Sequence, residues 1–440
     1  MARKKSQPNL PPPIMFEAAG ADDQQRQTNL IQSRQAPGFP FACELLADAL
    51  LKRSEAILLD YTRDAVAVRY QIDGMWHNLP PRDRQSGDAM LAVLKKLADL
   101  NFNERRARQQ GKFEAGFLRK KFKCNIISQG TKTGERVVLK MADKKHRFES
   151  LEQLGMRDKM QEQLLEALGA KQGLIVISSM PEGGLTTTWN VALSSTDRFT
   201  RDFVLIEAEG DDDDEIINVE PVRFKPADGE TPDTKLPTVL LKQPDVVLVP
   251  DLTNAKTVEL VCRYVLDEKK LAIVRTRSRD AAEALLRILA YEGPARELAE
   301  CLTLVLNQRL IRKLCENCRQ PFQPPPQLLQ KLGIPPGRVK VMYQEFRPPP
   351  PEQQVDERGR PIEIPLCPKC GGLGYFGKTG IFELLTVDDK LRDALQSQPR
   401  LEVLRQAARA GGHRTLQEEG IVLVARGVTS ITELQRVMKQ

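Results

Sequence analysis

Apolar and polar positions divide this 440-residue chain into stretches of different period. Residues 1–40 are rich in Pro, Gln and Ser and nearly lack periodic apolar positions, which predicts a disordered tail or tether. From Phe41 the pattern changes. Residues 43–51 carry apolar side chains at helical spacing, and 56–60 and 65–70 alternate or run apolar as strands do. The pair Asp73-Gly74 predicts a tight hairpin into Met75-Trp76. A helix over 88–100 and strands over 117–127 and 136–142 complete a small α+β domain, 41–147. A linker near 145–150 leads to an amphipathic helix over 160–168. Residues 173–190 then read as an apolar strand, a glycine-containing turn and a threonine-rich helix start. Short apolar strands at 203–207, 246–249 and 271–274, with a helix at 280–290, alternate as a parallel α/β sheet would, giving a core over 148–312. After a cysteine-containing segment, 313–384, a C-terminal unit over 385–440 is helical. It holds helices at 386–396 and 401–410, then capping boxes at Thr415-x-x-Glu418 and Ser430-x-x-Glu433, with Gly427 suited to stop the helix that the first box opens.

Composition narrows the class without deciding it. The length suits two to four domains. A net charge of +7 fits work near anionic lipid or nucleic acid and equally a plain soluble surface. The basic residues at 1–5 are followed by Pro and Gln rather than an apolar segment, so no secretory signal is expected. No uncharged apolar run approaches ~20 residues, and no membrane span is expected. Eight cysteines in a chain of this length are not a secreted disulfide framework. Four of them form two Cys-x-x-Cys pairs, which points to a reducing compartment and a metal.

Three groups of residues carry candidate chemistry. The first is the turn after the strand at 173–179, which has the outline of a phosphate-binding loop: Gly183 and Gly184 let backbone N–H groups curl round phosphates, and Thr186 offers a hydroxyl for Mg²⁺. Its cation is missing, since Leu185 stands where a lysine would. The second is a set of acidic side chains at strand C-termini, Glu207 and Asp251, where phosphate-handling sheets place metal-binding and water-positioning carboxylates. The acidic run 211–215 reads as a solvated loop. The third is Cys315-Glu-Asn-Cys318 with Cys367-Pro-Lys-Cys370, four thiolates that satisfy tetrahedral Zn²⁺ and leave no open position, so the site is expected to be structural. The proline-rich insert between these pairs, 324–326 and 347–351, is expected to form an exposed arm. Cys43, Cys124, Cys262 and Cys301 lie in apolar contexts and are expected in the core.

With these residues in view, the chain over 41–440 resembles the hexameric traffic ATPases of type II secretion and type IV pilus assembly. Most specific are Leu314-Cys-x-x-Cys318 and Cys367-Pro-x-Cys370, leading into Gly374-Tyr-Phe-Gly-Lys-Thr-Gly-Ile-Phe-Glu-Leu384. The stretches Val68-Arg69-Tyr-Gln-Ile-Asp-Gly74, Gly134-Glu-Arg-Val-Val-Leu139 and Gln243-Pro-Asp-Val-Val-Leu-Val249 are also similar to the family. The resemblance implies an α/β protein: a small N-terminal α+β domain, a RecA-like P-loop NTPase core, a tetracysteine zinc subdomain and a C-terminal helical unit. It also marks departures. The family's Gly-Pro-Thr-Gly-Ser-Gly-Lys-Thr-Thr falls on Ser179 to Thr187, so two glycines become Ser179 and Glu182, and the lysine becomes Leu185. The Glu-Asp-Pro box falls on Glu207-Ala208-Glu209, the Walker B Gly-Glu on Pro250-Asp251, and the two histidines of the histidine box on Lys270 and Arg277.

Losing one preorganised donor costs ~10²–10³ in rate, and Glu182 sets a carboxylate against phosphate. The resemblance therefore implies a degenerate site with weak or no ATP hydrolysis, in which bound ATP/Mg²⁺ is doubtful and Lys270 or Arg277 are the candidate substitute cations. It implies a cytoplasmic subunit, peripheral at the inner membrane, that meets secretion or pilus platform proteins and forms homo- or hetero-oligomers. Two other readings stand beside it: an active ATPase with a non-standard loop, and a zinc-ribbon nucleic-acid binder. Against the last, aromatic residues are 5% of the chain and no basic stripe interleaves with aromatics near the cysteines.

Overall fold

Alternating apolar positions in the N-terminal third build an antiparallel sheet. The computed structural model describes residues 13–145, 148–210, 216–347 and 365–439, in two units, Met1–Arg147 and Phe148–Gln440. The first holds β1 (Met15–Glu17), α1 (Asp23–Gln35), α2 (Phe39–Leu51), β2 (Ser54–Tyr61), β3 (Ala65–Ile72), β4 (Met75–Asp83), α3 (Arg84–Leu97), β5 (Gln109–Phe117), β6 (Lys120–Gly130) and β7 (Glu135–Asp143). Its seven strands run in the order β1-β5-β6-β7-β2-β3-β4. The hairpin between β3 and β4 is closed by Asp73 and Gly74, at φ 50° and 80°, which pairs Ile72 with Met75. Two left-handed residues in sequence are the type I′ turn that matches strand twist. Tyr70 Oη donates to the Leu45 carbonyl at 3.2 Å and Tyr61 Oη to that of Gly87 at 2.7 Å, pinning α2 and α3 to the sheet.

Residues 13–40 are folded, contrary to the expected tail; the remainder of that segment, 1–12, lies outside the described residues. β1 pairs with β5, and Phe16 meets Phe39 and Phe113 edge-on. The polar helix α1 is held through Asn29, fully buried, whose Nδ2 donates to the Ala19 carbonyl and to Asp99 Oδ1, each at 2.8 Å. Polar contacts hold α1, whose buried residues are Asn29 and Ser33, so its apolar pattern was silent.

The second unit holds α4 (Asp158–Gly169), β8 (Gly173–Ser179), α5 (Leu185–Ser194), β9 (Phe203–Ala208), β10 (Glu220–Phe224), α6 (Pro232–Leu240), β11 (Val246–Val249), α7 (Ala255–Leu266), β12 (Leu271–Thr276) and α8 (Ala281–Leu289). It continues through α9 (Ala295–Cys301), β13 (Leu302–Leu314), β14 (Gln320–Phe322), α10 (Pro326–Lys331), β15 (Met342–Gln344) and β16 (Tyr375–Thr386). Four helices end it: α11 (Asp389–Ser397), α12 (Leu401–Ala410), α13 (Leu416–Ala425) and α14 (Ile431–Lys439). The main sheet has the order β10-β9-β11-β12-β8-β13-β16, parallel except for β16. Every residue of β8 and β11 is buried, as continuous apolar strands covered on both faces must be. Ile175, Ile177 and Ile273 face α4 and α5, while Leu174, Val176 and Val249 face α6 to α8.

Strands β13 and β16 run through the boundaries expected at 312/313 and 384/385, so core, cysteine segment and C-terminal helices share one sheet. The helix expected from 386 starts after β16 ends. Pro326, exposed as expected, opens the short helix α10, and after it Ile334 and Met342 bury against Leu416 and Leu434. The rest of that arm, 348–351, and the acidic run 211–215 lie outside the described residues.

The capping box at Thr415 is present, and Gly427, at φ 70°, ends α13 with Val428 N bonded to the Leu423 carbonyl and Gly427 N to that of Val424. The second box is half made. Ser430 Oγ accepts from Glu433 N at 3.2 Å, but the Glu433 carboxylate binds Arg312 and Arg436 instead. Its side chain is fully buried, and removing one partner of a buried pair strands the other charges. We expect Glu433→Ala to destabilise the second unit by about 3–5 kcal/mol, read from the urea unfolding midpoint.

Candidate functional site

The phosphate-loop candidate lies where β8 gives way to α5. Ser179 is buried at the strand end, and its Oγ donates to the Met180 carbonyl at 2.9 Å. That carbonyl also accepts Gly183 N at 3.0 Å, closing the turn. A Cβ on Gly183 would stand 2.8 Å from the same oxygen, so only glycine fits. Glu182 and Gly184 are left-handed at φ 61° and 84°; Glu182 thus occupies a conformation that favours glycine. Gln308 Nε2 on β13 donates to the Gly183 carbonyl at 2.8 Å and holds the turn from below. Leu185, the first residue of α5, packs its side chain into the apolar cluster around Ile177 and Trp189. Thr186 is exposed and Thr187 half-buried.

The acidic and basic candidates separate by sheet edge. Glu207 closes β9 and is buried, with Arg223 Nε of β10 at 2.9 Å from its carboxylate. Asp251 follows β11 at the same edge and is exposed. Arg277, exposed, follows β12 at that edge too. Lys270 does not. It precedes β12, some ~20 Å away at the rise of a strand, and binds Asp245 at 2.8 Å, holding that carboxyl below its usual range. Lys270 is thereby excluded as a substitute cation. A nearer guanidinium was missed: strand alternation puts Arg275 on the α5 side, its Cζ 5.0 Å from the Trp189 ring.

Also missed was a buried polar row beneath the loop. Register pairs Ser178 of β8 with Asn307 of β13, and Asn307 with Glu383 of β16. All three are at most 2% exposed. Asn307 Nδ2 donates to Ser178 Oγ at 2.8 Å and Ser278 Oγ at 3.0 Å, and Ser278 N donates to the Ser179 carbonyl. Glu383 accepts the first N–H of two helices, Ala281 of α8 and Leu416 of α13. His413 Nδ1 lies 3.1 Å from the Leu384 carbonyl, and its Nε2 is 3.7 Å from Glu383. One carboxylate within the apolar run Ile381-Phe-Glu-Leu-Leu385 was the available signal.

The four paired cysteines converge. Their sulfurs all lie within 4.8 Å of one another, with Cys315 and Cys367 Sγ at 3.8 Å and Cys318 and Cys370 Sγ at 3.6 Å. Tetrahedral metal–sulfur bonds of about 2.3 Å require sulfur separations of about 3.8 Å, so the four could hold a metal ion. Gly371 and Gly372, at φ 64° and 86°, turn the second pair back towards the first. The Cys370 N–H draws the Cys367 thiol down to about 7, while burial pushes Cys315 and Cys318 up. Of the remaining cysteines, Cys124, Cys262 and Cys301 are buried and Cys43 is half-buried. Among the described residues, no helix is long and apolar enough to cross a membrane.

Comparison with known proteins follows this geometry. The family model described as type II/IV secretion system protein matches residues 32–436. The protein transport protein HofB homolog of Escherichia coli is 28% identical over 424 residues, which cover 96% of this chain and 86% of that protein. The type IV pilus assembly ATPase PilB of Pseudomonas aeruginosa is 25% identical over 428 residues, covering 96% and 71%. The ATPase DotB of Legionella pneumophila superposes with a TM-score of 0.58 at 11% identity, covering 91% and 95% of the two chains. The pilus retraction motor PilT, solved with bound ADP, gives 0.52 at 16% identity, covering 90% and 96%. At these identities the two structures establish the α/β fold alone.

Burial disfavours a charged His413, but Glu383 and the Leu384 carbonyl outweigh it and hold the imidazole pKa above 6.5. A folded-state pKa above the unfolded value stabilises fully at pH below ~6.5 and loses that stabilisation as pH rises through the folded value. We expect a denaturation midpoint that falls between about pH 6 and about pH 8, with His413→Gln flattening the change.

Proposed function

The chain belongs to the type II/IV secretion system protein family, and we propose that it serves a type II secretion or type IV pilus-like assembly system as a cytoplasmic subunit that turns over ATP weakly or not at all. The observation that carries this reading is Leu185. A half-buried apolar side chain at the first position of α5 stands where the β/γ-phosphates need a cation, and Lys270 is committed to Asp245 at the far edge. Glu207 is paired with Arg223, and Glu209 and Asp251 are exposed carboxylates at that edge. Were nucleotide to bind, the N–H groups from Gly184 to Thr187 would meet its phosphates and Thr186 its Mg²⁺. The RecA-like core then acts chiefly as scaffold, in a homo- or hetero-oligomer beside platform proteins at the inner membrane, while another ATPase supplies work.

Zinc is the metal that four thiolates at these spacings select, and it would be structural because no ligand position stays open. Metal analysis of purified protein should find one zinc per chain, and Cys367→Ser should lose it and lower the unfolding midpoint; a full complement of zinc in that variant would contradict the assignment. For activity, Mg²⁺-dependent hydrolysis should stay at background and be unmoved by Asp251→Asn. Turnover that falls in Asp251→Asn would favour an active enzyme instead.

A further inference from the structure

The connection from α3 to β5 in the first unit is built from within. Asn101 N donates to Gln109 Oε1 at 3.0 Å, and Gln109 Nε2 returns bonds to the carbonyls of Asn101 at 3.0 Å and Glu104 at 2.9 Å. Glu104 Oε1 accepts the N–H groups of Arg106 at 2.6 Å and Ala107 at 2.9 Å. Lys95, 1% exposed and paired with Glu135, gives a further bond to the Glu104 carbonyl at 2.8 Å. The Arg106 carbonyl is tied to Gly130 N and to Gln129 Nε2. The loop's own carboxylate is thus turned onto its backbone and its shape is fixed before any partner arrives.

What faces outward is basic and aromatic. Phe102 is 49% exposed, and Arg105, Arg106 and Arg108 are exposed beside it in the chain. Among the described residues neither Arg106 nor Arg108 forms an ion pair. Arg105 reaches Asp88 only at 3.9 Å, and that carboxylate already binds Arg84 at 3.1 Å.

We propose that this loop docks an acidic segment of a protein partner, with guanidinium groups pairing carboxylates around the Phe102 ring. Arginine's planar fork suits paired hydrogen bonds to carboxylates, and a preformed loop loses little entropy on binding. A membrane surface is the poorer occupant, because one phenyl ring is a small apolar anchor. Single-stranded nucleic acid is poorer too, because its bases need successive stacking platforms and the loop offers one. The inference is independent of the nucleotide loop.

The test uses the full chain and a fluorescent peptide with five consecutive carboxylates, titrated by anisotropy at low and high salt. The expected result is binding that weakens with salt and falls ~10-fold or more when Arg105, Arg106 and Arg108 are changed together to Gln, with a smaller loss for Phe102→Ala. Thermal unfolding of these variants should match the parent, since the exchanged side chains point outward. A single Arg108→Glu variant serves if the triple variant fails to fold. Absent binding by the parent chain, equal binding by the variants, or tighter arginine-dependent binding to phosphatidylglycerol vesicles or to an oligonucleotide would each overturn the proposal.

Discussion

A buried carboxylate has to be satisfied, and the second unit is arranged around one. Glu383 sits in an apolar strand, and among the described residues no lysine or arginine is bonded to it, so its carboxylate is met by the first N–H groups of α8 and α13 and by His413. Helix N-termini carry partial positive charge and unsatisfied donors, which makes them natural partners for an anion withheld from water. Through Asn307 the same row reaches Ser178 and Ser278, and through Ser278 the root of the loop at Ser179. Loop root, sheet edge and C-terminal helices therefore meet one buried polar row, in which strand register sets Glu383 beside Asn307.

The cysteine cluster fixes the other end of those helices. Arg319, directly after Cys318, donates to the Gly427 carbonyl at 2.7 Å and lies over Tyr343, while Leu314 N bonds to the Val428 carbonyl. Thr429 Oγ1 donates to the Arg312 carbonyl at 2.8 Å. The segment that carries Cys315 and Cys318 is thus bonded on both sides to the turn between α13 and α14. In the phosphate-loop candidate, Leu185 is half-buried against the apolar cluster around Ile177 and Trp189.

Where local physics decides, the sequence was readable. The fully apolar 246–249 is β11 as expected, and Asp73-Gly74 supplies the two left-handed residues its hairpin needs. The long strand β13 escaped because Asn307, Gln308, Arg309 and Arg312 interrupt its apolar pattern. Their partners lie far away in the chain, at Ser178, Gly183, Val437 and Glu433. Helix α1 escaped for the same reason, since Asn29 is satisfied by Asp99. Motif alignment placed Lys270 and Arg277 together as cations, but the direction of β12 sends them to opposite edges. Sheet topology, absent from any local pattern, made that distinction.

Leu185 puts an apolar side chain where phosphate binding calls for a cation, and calorimetric titration of Mg·ATP into the purified chain and into Leu185→Lys measures the consequence. A hydrogen bond to a charged group contributes ~1.5–3 kcal/mol, so the lysine variant should bind about tenfold tighter or more than a weakly binding parent. Tight binding by the parent, unchanged by Leu185→Lys, would show that another group serves the phosphates and that the loop is not defective for want of a lysine.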